Sequence, residues 1–163
     1  MELGIRRGGD WRAAIDATRT GSTESYAVPH PAGSGLLLFG VTDIAPLGAG
    51  LVWMLQSQAF QVAAGTSGFP YALKLKSAGQ AFIADRLAVY GTVFNFVSAS
   101  RTVKIRWLKQ LGFQFYPGPL ALAPGMLMFG LGPGLKALAG STGVWSALFS
   151  RKSLPVSEFA DVP

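Results

Sequence analysis

The chain has 163 residues, half of them apolar and 13% charged, with 14 Lys and Arg against 8 Asp and Glu for a formal charge of +6. That balance is opposite to a disordered chain's, the length suits one domain, and 21 Gly with 10 Pro disfavour a helical bundle. The absence of Cys excludes a disulfide scaffold, a thiolate metal site and a cysteine nucleophile.

Met1 to Arg7 places two arginines without the apolar run of a signal peptide behind them. The charge-free stretches Ile44 to Leu73 and Gln110 to Leu135 are broken repeatedly by Pro and Gly. No membrane span is therefore expected, and the chain reads as soluble. Asp10 to Arg19 reads as a short helix capped by Asp10 and stopped by Gly21. Ser25 to His30 suits a strand ended by Pro29 and Pro31. Leu36 to Val41 and Leu51 to Leu55 are apolar on both faces, as buried strands are, and Pro46-Leu47-Gly48 turns the chain between them.

A helix is expected from about Pro70 to Tyr90, ended by Gly91, with Ala72, Leu75, Ala78, Gly79, Phe82, Ile83, Leu87 and Tyr90 on one stripe. Val93 to Val97 alternates as a strand. Ser98 and Ser100 are N-cap candidates for a helix from Thr102 to Leu111, and Gly112 suits its C′ position. Phe113 to Tyr116 and Met126 to Phe129 complete the strands. The order implies one α/β (α+β) domain: a mixed sheet of about five to six strands with two to three helices, plus an extended C-terminal tail. Three parts follow: an N-terminal arm with a short helix (1–24), the sheet domain (25–129) and a C-terminal extension for docking or assembly (130–163). On this reading, deleting 130–163 leaves the domain folded.

Phe94 to Phe115 reads FNFVSASRTVKIRWLKQLGFQF. This resembles the strand-then-helix segment near the C-terminus of GNAT-type N-acetyltransferases. The Ile105-Arg106-Trp107-Leu108 run before Leu111-Gly112-Phe113 resembles a narrower group, GNAT-like proteins of short-tailed bacteriophages that include the internal virion protein A group. Leu37 to Val41 and Gly50 to Leu55 resemble that group's central strands, and the likeness covers about Tyr26 to Phe115. The resemblance implies a GNAT-like sheet and, in an active member, acetyl-CoA as acyl donor.

The departures bear on function. The family opens its central helix with a glycine loop whose amides cradle the diphosphate. Here the loop reads Gln61-Val62-Ala63-Ala64-Gly65-Thr66-Ser67-Gly68, with glycines spaced G-x-x-G. Gly65, Ser67, Gly68, Lys74 and Lys76 are the cofactor-binding candidates, against the plain reading of a loop that merely turns the chain. Leu108 stands where many family members carry a proton-donating Tyr. No Asp, Glu or His occurs from Ile44 to Ala84, so the candidate bases are Asp43, His30 and Glu24. Asp43 also suits a turn, and His30 a solvated loop.

The expected function is thus a phage accessory virion or morphogenesis protein on a catalytically degenerate GNAT-like fold. It would act with other virion proteins, or with its own copies, through the C-terminal extension. It would need no cofactor and would reside in the virion after synthesis in the host cytoplasm. The alternative is an acyl-CoA-dependent N-acyltransferase with a non-standard phosphate loop, using acetyl-CoA. An enzyme needs an open cleft between Leu51–Leu55 and Val93–Val97, whereas a structural protein fills it with Trp53, Phe60 or Phe69. Arg101, Lys104, Arg106 and Lys109 offer nucleic acid a basic helix, though a solvated face that suits the helix dipole is the favoured explanation. One His and scattered carboxylates make no metal site, and there is no Gly-x-Ser-x-Gly elbow.

Overall fold

The computed structural model describes residues 22–30, 35–66, 68–118 and 124–141, together with Gly143 and Trp145. Strands β1 (Glu24–Pro29), β2 (Leu36–Ile44), β3 (Ala49–Gln56), β4 (Val93–Ser98), β5 (Gln114–Pro117) and β6 (Met126–Leu131) form one sheet in the order β1-β2-β3-β4-β6-β5. Every neighbouring pair is antiparallel except β3 and β4, which are parallel. The helices are α1 (Gln58–Thr66), α2 (Gly68–Tyr90), α3 (Thr102–Gln110) and α4 (Leu135–Gly140). The mixed sheet is the one expected, with six strands, but the described residues hold four helices instead of two or three. The expected helix at 10–19 lies outside the described residues.

Local chemistry accounts for most element ends. A 3-10 turn at Ala45–Leu47 and Gly48, at φ 56°, reverse the chain between β2 and β3. A parallel pair cannot be joined by a tight turn, and α1 with α2 supply the crossover from β3 to β4. Gly112, at φ 99°, ends α3: Phe113 N–H returns to Leu108 O at 3.2 Å and Gly112 N–H to Lys109 O at 3.0 Å, a Schellman closure. The serine caps expected for α3 are absent. Arg101 holds the N-cap position without a side-chain capping bond, while the Ser98 and Ser100 hydroxyls pair with each other at 2.8 Å.

The sheet carries a core on each face. On one, Val41, Val52, Val93, Val97 and Phe129 meet Ile83 of α2, then Leu108, Leu111 and Phe113 from α3 and the turn after it. On the other, Ile44, Leu51, Phe94, Phe96 and Met128 meet Leu135 of α4 and Trp145. Trp145 is 1% exposed, lies 5.5 Å from both Phe94 and Phe96 by ring centroids, and donates its indole N–H to Leu138 O at 2.6 Å. The expected boundary at residue 130 therefore runs through β6, and at least part of 130–163 is domain core. Leu135 and Trp145 cover Leu51, Phe94, Phe96 and Met128, so deleting 130–163 is expected to destabilise the domain.

Candidate functional site: a cleft between the central strands

β3 and β4 keep register over only two pairs, Gly50 with Val93 and Leu51 with Phe94, although the strands run on to Gln56 and Ser98. Gly50 N–H donates to Thr92 O at 3.0 Å, and a ladder continued from that bond would have Phe96 N–H donate to Val52 O. The carboxamide of Asn95 is interposed there instead. Phe96 N–H donates to Asn95 Oδ1 at 2.6 Å, and Asn95 Nδ2 donates to Val52 O at 2.5 Å. Asn95 is only 6% exposed, so both backbone groups stay satisfied without water while the strands part. By the two-residue alternation of a strand, the peptide N–H and C=O of Met54 turn to the same edge as Val52 O and face the gap.

The gap opens into a cavity of about 180 Å³ between the sheet and the α2–α3 layer. Its floor crosses from Val28 on β1, over β2, β3 and β4, to Phe129 on β6, and its roof includes Leu75, Gly79 and Phe82 of α2 with Trp107 and Leu108 of α3 and its C-cap Leu111. Apart from Asn95 and Lys104, its described lining side chains are apolar. The cavity explains a peculiarity of α2. Of the expected apolar stripe Ile83 is buried, Leu75, Gly79, Phe82, Leu87 and Tyr90 are half-buried, and Ala72 and Ala78 are exposed, because the first half of the helix roofs a hollow.

None of the described side chains expected to plug the cleft does so. Trp53 contributes to the wall, but its indole lies against Gly40 of β2, where an added Cβ would come within 2.5 Å of its Cζ2. Phe60 packs at the sheet edge, 5.6 Å from the His30 ring and 6.4 Å from Tyr71. The side chain of Phe69 lies outside the described part.

The candidate bases do not converge on the cavity. Asp43 is exposed and pairs with Gly50, where β3 and β4 are still joined. His30 is not a solvated loop residue: it is 4% exposed, at 4.8 Å from the Tyr71 ring, because α1 and α2 bring Phe60 and Tyr71 over the end of β1. Glu24 forms an ion pair with Arg86 of α2 and accepts the Tyr26 hydroxyl at 2.9 Å. That bond is the first cause holding the Tyr26 pKa above its ordinary 10.0.

The expected glycine loop is largely helix. Gly65 lies inside α1, Ser67 is outside the described residues, and Gly68 opens α2 at φ 76°. Ser57 caps α1, its Oγ accepting Phe60 N–H at 3.1 Å and also Leu36 N–H at 3.0 Å. Lys74 is exposed and Lys76 half-buried on α2, about 200° apart around the axis, and neither lines the cavity. The basic residues of α3 also diverge. Lys104 joins the cavity wall, Arg106 is exposed, and Lys109 lies 5.8 Å from the Phe115 ring centroid. Asn95, which parts the strands, is the cleft residue that the sequence does not single out. Its signal is a lone amide flanked by Phe94 and Phe96 in the apolar run Val93 to Val97.

Among the described residues no three His, Asp or Glu side chains cluster as metal ligands, and no helix is long and apolar enough to cross a membrane. No protein-family model matches the chain, and no curated protein matches it. Among solved structures the chain is similar to a variant of spermidine N-acetyltransferase from Vibrio cholerae, at 9% identity and a TM-score of 0.49, over 77% of this chain and 75% of that one. It is also similar to a chimera of the Vibrio cholerae enzyme, at 8% identity and a TM-score of 0.47, over 80% and 78% of the two chains.

Proposed function

We propose that the chain is an N-acyltransferase of the GNAT type, binding an acyl-CoA thioester in the β3–β4 cleft and passing the acyl group to an amine. The observation that carries this reading is the cleft itself, held open by Asn95 above an apolar cavity, where an assembly protein has no reason to keep a gap. The chemistry follows from the placement. The amine nitrogen attacks the thioester carbonyl carbon, a C–N bond forms, the C–S bond breaks, and CoA leaves as the thiolate. The Met54 peptide N–H faces the gap and is placed to donate to the carbonyl oxygen as charge gathers there. With Leu108 and Lys104 on the wall and no carboxylate or imidazole among its described residues, the ammonium proton passes to solvent. The apolar wall fits the acyl end of the substrate. Its phosphate end is assigned to the start of α2, near Gly68 and Lys74.

Calorimetry and thermal shift with acetyl-CoA and free CoA test this. Micromolar binding that weakens in Lys74→Ala supports it, and no binding at millimolar ligand overturns it.

A second reading keeps the expectation of a phage virion or morphogenesis protein, with its chemistry eroded and its C-terminal extension docking on other virion proteins or on a second copy. Its support is the acid-base poverty of the cavity wall and Leu108 in place of a Tyr. Amine-dependent release of free thiol from a thioester would dispose of it.

A further inference from the structure

We propose that the cavity takes an unbranched aliphatic chain, so that the acyl group transferred is of medium length and not acetyl; this rests on the acyltransferase reading above. Three features of the cavity point there. It holds about 180 Å³, more than an engineered apolar cavity of about 150 Å³ that stays dry and binds benzene, and far more than a two-carbon group fills. It is also elongated. Its wall residues come from five neighbouring strands, from Val28 on β1 to Phe129 on β6, so the hollow extends across the sheet. An extended apolar hollow suits a methylene chain better than a ring system. Finally, the slot is continuous with the gap beside Asn95 and Met54, so a carbonyl carbon seated there directs its chain along the floor.

At the β1 end Phe39 and Phe82 meet edge-on, 4.9 Å between centroids, and bound the slot. In the roof Gly79 lies against the Leu111 side chain: a Cβ added there would meet Leu111 Cδ2 at 3.4 Å and Cδ1 at 3.9 Å, and no backbone of a neighbouring element. A larger residue at 79 therefore pushes the Leu111 side chain into the slot and narrows it.

The test is a chain-length series of acetyl-, butanoyl-, hexanoyl-, octanoyl- and decanoyl-CoA titrated calorimetrically into the full chain, with alkanoates of the same lengths in parallel. Each buried methylene should tighten binding about fourfold until the slot is full. Gly79→Leu should flatten the series beyond the short chains without lowering the unfolding temperature, since losing a helix glycine offsets the displacement of Leu111. Weaker binding in a protein no less stable cannot be misfolding. If Gly79→Leu fails to fold, Gly79→Ala reads the same shift on a smaller scale. Equal affinity for acetyl and octanoyl thioesters, with no length dependence among the alkanoates, overturns the proposal. A length dependence among alkanoates with no thioester binding overturns the acyltransferase reading alone and leaves the chain slot standing.

Discussion

Replacing Asn95 by Ala isolates the device that parts the central strands. The Asn95 carboxamide satisfies two buried backbone groups, Val52 O at 2.5 Å and Phe96 N–H at 2.6 Å. Each buried group left without a partner costs about 1–3 kcal/mol, so the variant should lose about 2–6 kcal/mol if the gap stays open. Against a total stability of about 5–15 kcal/mol this is a large fraction. The chain has one relief. β4 can draw toward β3 until Phe96 N–H donates directly to Val52 O, which recovers most of the loss but closes the cleft. Urea unfolding followed by tryptophan fluorescence measures the first term, and calorimetry with octanoyl-CoA measures the second. We expect at least about 2 kcal/mol of destabilisation, or near-native stability with thioester binding abolished. A variant within about 0.5 kcal/mol of the parent that binds unchanged would refute the wedge.

Other outcomes follow from single contacts. Trp145→Ala should cost about 3–5 kcal/mol, because a fully buried indole is lost from between Phe94, Phe96 and α4; an unchanged urea midpoint would return this segment to the status of a detachable tail. Leu108→Tyr should raise thiol release at saturating thioester by tenfold or more, since a placed proton donor contributes about 10²–10⁴. A slower variant would mean that residue 108 does not stand over the leaving sulfur. The raised Tyr26 pKa sets a sign as well. The bond to Glu24 favours the protonated hydroxyl, so its contribution is fully present below the ordinary tyrosine value and is lost as pH rises through the folded one. Alkaline absorbance titration should show a late tyrosine step that Tyr26→Phe removes.

Much of the scaffold was legible because the forces that shape it are local. All six strands, the turn at Gly48, the long helix ended at Gly91 and the Gly112 closure follow from apolar runs, proline and glycine at their ordinary positions. Helix α1 was hidden by a different local signal. Gly65 and Gly68 suggested a phosphate loop, over a segment that Ser57 in fact caps as a helix. His30 between two prolines reads as solvated until α1 and α2 deliver Phe60 and Tyr71 from thirty to forty positions away. Trp145 reads as tail until the second sheet face is seen to lack a cover without it.

The cleft belongs wholly to the tertiary level. Residue pattern alone determined which segments extend, which coil and where each stops, since those choices depend on neighbours along the chain. Whether β3 and β4 zip together or part depends on one amide reaching across from β4 to a carbonyl forty-three positions earlier in the sequence, and on how far α2 stands from the sheet. Such closure is a balance between hydrogen bonds and burial across the fold, and only the assembled sheet strikes it.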